Sequence, residues 1–430
     1  MTIGARVREL RRARGLTQQA LAGRDLSVSF ISMLEHGRVR PSLASLRLLA
    51  GRLGVSPANL LGPDTHPAET DASLRHGDAL LRQHQFTPAI EQYQKALGLA
   101  EQARDPDRAA QAHLGLGQAL LGLRQFDLAE GHLQDAAGLA LTLGDLRLQA
   151  LAAQARGLLE IRRRRFSAAR AQLVEALGLV RQAAPPDPRL EAVILTNLGR
   201  VYLNLTLPLQ ALGCFEEARP LLERAADPVG LVMLQINSGM AYAQQDAFAE
   251  AARQFQQAAD VLEAQENLQL LGGVKRNLGI LHLDRGDAAA AEPLLRQSLA
   301  IAQQAADDAG CANTLTELGR AVLAQGRADE AADLAARAAH LAELVHDPAE
   351  AALAEMVLAA VAHRQGRLDE AAARYRVAAA AFRDLEMTKE QGDATRELGL
   401  VYLDAGREGE AARTLAEAFS LQKARAVVDR

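Results

Sequence analysis

Apolar positions recur at helical spacing along most of this chain, and no run of β-branched residues resembles a buried strand. Ile3, Val7 and Leu10 share one face of a helix predicted from about residue 3 to 13, which Gly15 stops. Thr17 caps a second helix from Gln18 to about Gly23. Ser27 caps a third from Val28 to His36, closed by Gly37, and Ser42 caps a fourth from Leu43 to Leu53, closed by Gly54. Ser56 followed by Pro57 opens a fifth, because proline fits the first helical position.

Gly62 to Pro67 reads as a short linker, and beyond it the pattern becomes periodic. Gly77, Gly117, Gly157, Gly199, Gly239, Gly279, Gly319, Ala359 and Gly399 each lie twelve residues before an alanine: Ala89, Ala129, Ala169, Ala211, Ala251, Ala291, Ala331, Ala371 and Ala411. The units repeat every 40 residues, except for 42 between the third and fourth, where Pro185, Pro186 and Pro188 lengthen the connection. In most units a bulky residue follows the alanine by four, as at Tyr93, Leu133, Phe215 and Phe255, and a small one by seven. Two helices cross closely only where side chains are small, so this pattern predicts stacked helical hairpins. The expected fold is all-α: a five-helix head over residues 1–62, a linker over 63–69, and about nine hairpins over 70–430.

Composition sharpens the division. Alanine, leucine, arginine, glutamine and glutamate dominate, and aromatics make up 3%. The net charge of −5 hides an asymmetry: residues 1–62 carry ten arginines against Glu9, Asp25 and Glu35, a balance of +7, which leaves −12 on the rest. A basic head on an acidic body predicts that the head meets a polyanion. Cys214 and Cys311 stand far apart and read as buried free thiols. The histidines show no close ligand spacing, so no metal or cofactor is expected. No apolar leader or membrane-length apolar run is present, which predicts a cytoplasmic protein without membrane contact. The absence of a phosphate-cradling loop or nucleophile elbow argues against an enzyme.

The second and third helices, joined by a short turn around Arg24, Asp25 and Leu26, have the form of a helix-turn-helix pair, whose second member enters the DNA major groove. The stretches LTQQALA (16–22), LSVSFISMLEHGRVRPS (26–42) and LGVSPANLL (53–61) resemble the XRE family of phage-repressor-type regulators, with its lambda-repressor-like fold. That resemblance implies backbone contacts from Thr17, Gln18 and Ser27 at helix N-termini, base contacts from Val28, Ser29, Ser32 and Met33, and phosphate contacts from Arg38 and Arg40. It also implies that Arg11 and Glu35 tie the first helix to the third. The expected reading face lacks the glutamine, asparagine or arginine able to make bidentate base contacts, so affinity should lean on phosphate neutralisation and on dimer geometry.

The periodic part resembles tetratricopeptide repeats but exceeds their roughly 34-residue period, implying longer helices or longer loops. Such repeats stack into a right-handed α-solenoid whose first helices line a concave groove suited to peptides or partner helices. The groove-facing places of the family hold a ladder of Asn197, Asn237 and Asn277, with Arg200, Asn204, Met240, Gln244, Arg276 and Arg320 around it. Asparagine amides donate and accept, so the ladder can satisfy a bound main chain, although asparagine there can also merely stabilise the hairpin. The run Arg162 to Arg165 reads as a solvated turn, with a second contact to DNA or an acidic partner as the alternative.

Together these features resemble the RRNPP regulators, which implies a head that binds double-stranded DNA and repeats that sense a short peptide; a homodimer is expected because one small head reads too few base pairs for useful affinity. The alternative is a regulator or scaffold whose repeats bind a folded protein.

Overall fold

The computed structural model of the chain describes residues 3–23, 25–39, 41–55, 60 and 67–428. Arg40, most of the fifth helix expected from Ser56, and most of the linker lie outside them. Among the described residues every regular element is a helix, as the all-α reading expects. The chain falls into two compact units, Met1–Leu159 and Glu160–Arg430.

The first unit begins with α1 (Ile3–Ala13), α2 (Gln18–Ala22), α3 (Val28–Glu35) and α4 (Leu43–Arg52). The predicted caps form: Thr17, Ser27 and Ser42 accept from the backbone N–H of Ala20, Phe30 and Ser45 at 3.0, 3.0 and 3.1 Å. Gly37 takes φ +73° behind α3, where a side chain would be strained. Val7, Leu21, Ile31, Leu34, Leu49 and Leu53 form the head's core. Gly4 was not flagged by the sequence pattern, yet α1 crosses α3 there so closely that a Cβ would lie 1.8 Å from the Leu34 carbonyl oxygen.

The hairpins follow as α5 (Pro67–Arg82) with α6 (Phe86–Ala103), α7 (Pro106–Gly122) with α8 (Phe126–Leu143), and α9 (Leu146–Arg162) with α10 (Phe166–Gln182). Next come α11 (Pro188–Asn204) with α12 (Pro208–Arg224), α13 (Pro228–Ala243) with α14 (Phe248–Ala264), and α15 (Leu268–Asp284) with α16 (Ala288–Gln304). The last are α17 (Asp308–Ala324) with α18 (Ala328–Leu344), α19 (Pro348–Arg364) with α20 (Leu368–Asp384), and α21 (Thr388–Asp404) with α22 (Glu408–Val428). Longer helices, not longer loops, account for the 40-residue period: α15 to α19 each have 17 residues, joined by three-residue turns.

Each predicted alanine, from Ala89 to Ala411, is fully buried. The marker glycine and the bulky residue prove to be two halves of one contact. A Cβ on Gly117, Gly199, Gly239 or Gly279 would meet Leu133, Phe215, Phe255 or Leu295 at 2.4, 2.3, 2.7 and 2.7 Å. Each of those side chains is sixteen residues further on and at most 2% exposed, which contributes about 1.5–3 kcal/mol per side chain. First helices are started by local chemistry: Asp105, Asp187, Asp227, Asp307 and Asp347 cap α7, α11, α13, α17 and α19. Within hairpins a left-handed residue turns the chain, as at Arg124, Arg164, Thr206 and Asp246.

Candidate nucleic-acid interface and ligand groove

The head presents α3 by anchoring it from behind. Glu35, in the last turn of α3, is buried with its side chain 1% exposed, and Arg11 clasps it from α1. Arg11 Nε donates to Oε1 at 2.6 Å and Nη2 to Oε2 at 3.0 Å, while Nη1 reaches the Leu16 carbonyl at 2.8 Å. Gln18 on α2 donates to the same carboxylate at 2.8 Å, so one acid ties three helices together. Burial alone would push Glu35 up, but the hydrogen bonds from Arg11 and Gln18 hold its carboxyl below the usual range.

With Ile31, Leu34 and Glu35 facing inward, α3 turns its other face to solvent. Val28 and Met33 are exposed at 44% and 39%. Ser29 is exposed beside them and Ser32 is half-buried. Thr17 and Ser27 are exposed at the N-termini of α2 and α3, their hydroxyls engaged in capping; Gln18 is half-buried against Glu35. Arg38 is exposed just beyond α3, and Arg12, Arg14 and Arg47 add exposed basic groups. Arg52 belongs to the scaffold instead: it pairs with Asp25 and donates to the carbonyls of Leu21 and Ala22 at the end of α2.

In the second unit the expected groove residues divide. Asn197 and Asn237 are buried at 9% and 5% exposure; Asn277 and Arg276 are half-buried, and Arg200, Asn204, Met240, Gln244 and Arg320 are exposed. The Nδ2 of Asn237 has no hydrogen-bond partner, a costly state for a buried donor. Asn204 and Gln244 do come together: they line a cavity of about 770 Å³ whose other walls include Arg164, Arg165, Thr388 and Lys389. Asn204 donates to the Arg200 carbonyl at 2.9 Å and Gln244 to the Leu203 carbonyl at 3.1 Å. Arg320 lines a different recess of about 530 Å³ with Ile280, Asp284, Tyr375 and Lys389, and pairs with Glu317 at 2.6 Å. Arg276 lies in a third, smaller one with Ser298 and Thr314.

Partial desolvation acts on groups of both signs. Burial pushes the Asp284 and Glu350 carboxyls up. Burial, reinforced by the charge of Arg162, pushes the Arg200 guanidinium down. Arg200 and Asp284 are nonetheless open to solvent, as charged groups on a concave wall are.

Three contributors to this cavity lie outside the expected groove set. Arg164 and Arg165 are exposed at their turn, as the sequence predicts, and also wall the 770 Å³ cavity, with Arg164 stacked 5.9 Å over Phe166. Lys389 comes from α21, and nothing in the repeat pattern signals that this turn borders the cavity. Cys214 and Cys311 are buried free thiols, as expected.

Residues 7–60 match the Helix-turn-helix family, and residues 69–142 and 271–343 match the Tetratricopeptide repeat family. An immunity repressor protein of Bacillus phage phi105 is 38% identical over 73 residues, covering 17% of this chain and 51% of that protein. The match therefore spans about half of that relative's length. An uncharacterized HTH-type transcriptional regulator, y4dJ of Sinorhizobium fredii, is 40% identical over 62 residues, 14% of this chain and 80% of that protein. In fold, the chain is similar to a Rap protein complexed with Competence and Sporulation Factor, with TM-score 0.66 and 14% identity over 84% of this chain and all of that one. It is also similar to NprR in complex with its cognate peptide NprX, with TM-score 0.54 and 15% identity over 69% of this chain and 85% of that one. Among the described residues no helix is long and apolar enough to cross a membrane.

Proposed function

Because the chain belongs to the helix-turn-helix family of transcriptional regulators, we propose that residues 1–62 bind double-stranded DNA and that residues 70–430, after a linker at 63–69, hold a short peptide that governs paired heads. The protein acts in the cytoplasm as a homodimer. Its curated relatives are a repressor and a regulator rather than enzymes.

On this reading α3 lies in the major groove with Val28, Ser29, Ser32 and Met33 against base edges. Thr17, Gln18 and Ser27 bring the N-termini of α2 and α3 to the phosphate backbone, and Arg38 and Arg40 neutralise phosphates. The observation that carries this is the exposure of Val28 and Met33 on a helix anchored from behind by Glu35. Selection of bound duplexes from a random library by the full-length protein, at physiological salt, should enrich a two-fold symmetric motif with half-sites about 34–36 Å apart. A library that emerges unenriched would sink the proposal, as sedimentation of a monomer alone at micromolar concentration would sink the dimer.

The peptide reading rests on the second unit, where Asn237 keeps a buried amide nitrogen unpaired. A bound main chain would pair the amides of Asn197, Asn204, Asn237, Gln244 and Asn277. Its carboxylate would compensate Arg200, Arg276 or Arg320, and Met240 would meet an apolar side chain. A ligand preferring one curvature of the hairpin stack shifts its population, and with it the heads. Panning a random peptide library on the full-length protein tests this. Enriched peptides should lose affinity in Asn237→Ala, and retention of a folded protein instead would replace this reading.

A further inference from the structure

The second hairpin brings together three side chains that neither the proposed DNA contact nor the proposed groove uses. His132 and Asp135 are three residues apart and so share one face of α8. His113 meets them from α7. The Nδ1 atoms of His113 and His132 lie 3.0 Å apart, with the rings tilted by 42°, and His113 Nδ1 is 3.7 Å from Asp135 Oδ2. All three ligand atoms fall within 4.8 Å of one another, the one such group of histidine, cysteine or acidic side chains among the described residues.

We propose that His113, His132 and Asp135 form a binding site for a divalent transition-metal ion of the zinc class. A tetrahedral ion bound at 2.0–2.1 Å holds its ligand atoms roughly 3.3 Å apart, and the two measured edges lie on either side of that value. Two imidazoles facing each other through the same nitrogen can share only one proton between them, whereas a metal accepts a lone pair from both. The imidazole-carboxylate donor set suits zinc, cobalt, nickel or copper over magnesium or calcium. His113 is largely buried, with its side chain 13% exposed, whereas that of Asp135 is 63% exposed. The site is therefore anchored on one side and open to water on the other, leaving a fourth position for a solvent ligand. Nothing in the spacing along the chain announces it, since His113 and His132 are 19 residues apart and on different helices.

Cobalt(II) titration of the full-length, untagged protein, followed by its visible absorption and by zinc displacement, tests the site. One saturable site at micromolar cobalt is expected, with the absorption of a low-coordinate ion. His132→Ala and Asp135→Asn should each weaken binding at least tenfold, and zinc should raise the thermal midpoint of the wild type alone. Both changes are made at partly or wholly exposed positions, so the metal-free variants should melt with the wild type. The proposal is overturned if the wild type shows no saturable binding at these concentrations, or if both variants bind cobalt as the wild type does.

Discussion

In the head, the proposed DNA-reading surface is held by a few directed polar contacts: three serine and threonine caps and one carboxylate shared by Arg11 and Gln18. In residues 160–430 the frame of the groove is held by shape, with Gly199, Gly239 and Gly279 against Phe215, Phe255 and Leu295. Polar side chains start its first helices, as at Asp187, Asp227, Asp307 and Asp347, but Asn237 leaves a buried nitrogen unpaired. A surface fixed by charge is vulnerable to acid and to loss of a single partner. One fixed by packing is vulnerable to volume and can spare its polar groups for a ligand.

The largest test of that contrast is Glu35→Gln, which leaves the largely buried Arg11 without its counter-charge and should cost about 3–5 kcal/mol. Hydrogen exchange should show residues 3–55 losing protection while 160–428 keep theirs; equal loss in both regions would break the comparison. Acid should act the same way. Because the Glu35 carboxyl is held below its usual range, its contribution is present above the ordinary value of about 4.3 and lost as pH falls through the folded value. Protection of the head should therefore fade there.

Next comes volume. Gly239→Leu forces a side chain into the space of Phe255, and overpacking costs about 1–3 kcal/mol or more. Thermal unfolding should report this loss at any pH from 5 to about 8, the range where Glu35 stays ionised; an unchanged midpoint would show that the crossing relaxes. A smaller effect is expected from Ser27→Ala, which removes the cap of α3 and should cost about 1 kcal/mol. Arg38→Ala should leave stability alone but reduce the salt dependence of DNA affinity by about one phosphate contact. A small stability change is also expected from Asn237→Ala, whose amide nitrogen donates to nothing. A midpoint within about 0.5 kcal/mol of the wild type, with peptide affinity lost, would sharpen the contrast.

Helix existence, the caps and the hairpin repeat were legible because each is written in neighbouring residues: a serine before an apolar face, a glycine after it, an alanine every 40 positions. The Arg11 and Glu35 clasp was legible through family resemblance alone, since nothing local connects residues 24 apart. The groove was legible only in part. Asn204 and Gln244 do meet across one cavity, but Arg320 and Arg276 fall in other recesses, because fixed places on each first helix spread out along a stack.

By itself, the sequence determined that the chain is all-helical, that a basic head precedes an acidic hairpin array, and which residues start and stop most helices. Propensity, capping and small-residue crossings act over a few turns of chain, so they can be read one segment at a time. Only the tertiary structure decided that Gly117, Gly199, Gly239 and Gly279 face the bulky residue sixteen positions on, and that Arg164, Arg165 and Lys389 wall one cavity. It also decided that His113 joins His132 and Asp135. Those juxtapositions depend on how helices stack, and a small rotation accumulated over several hairpins moves a side chain from one recess to the next.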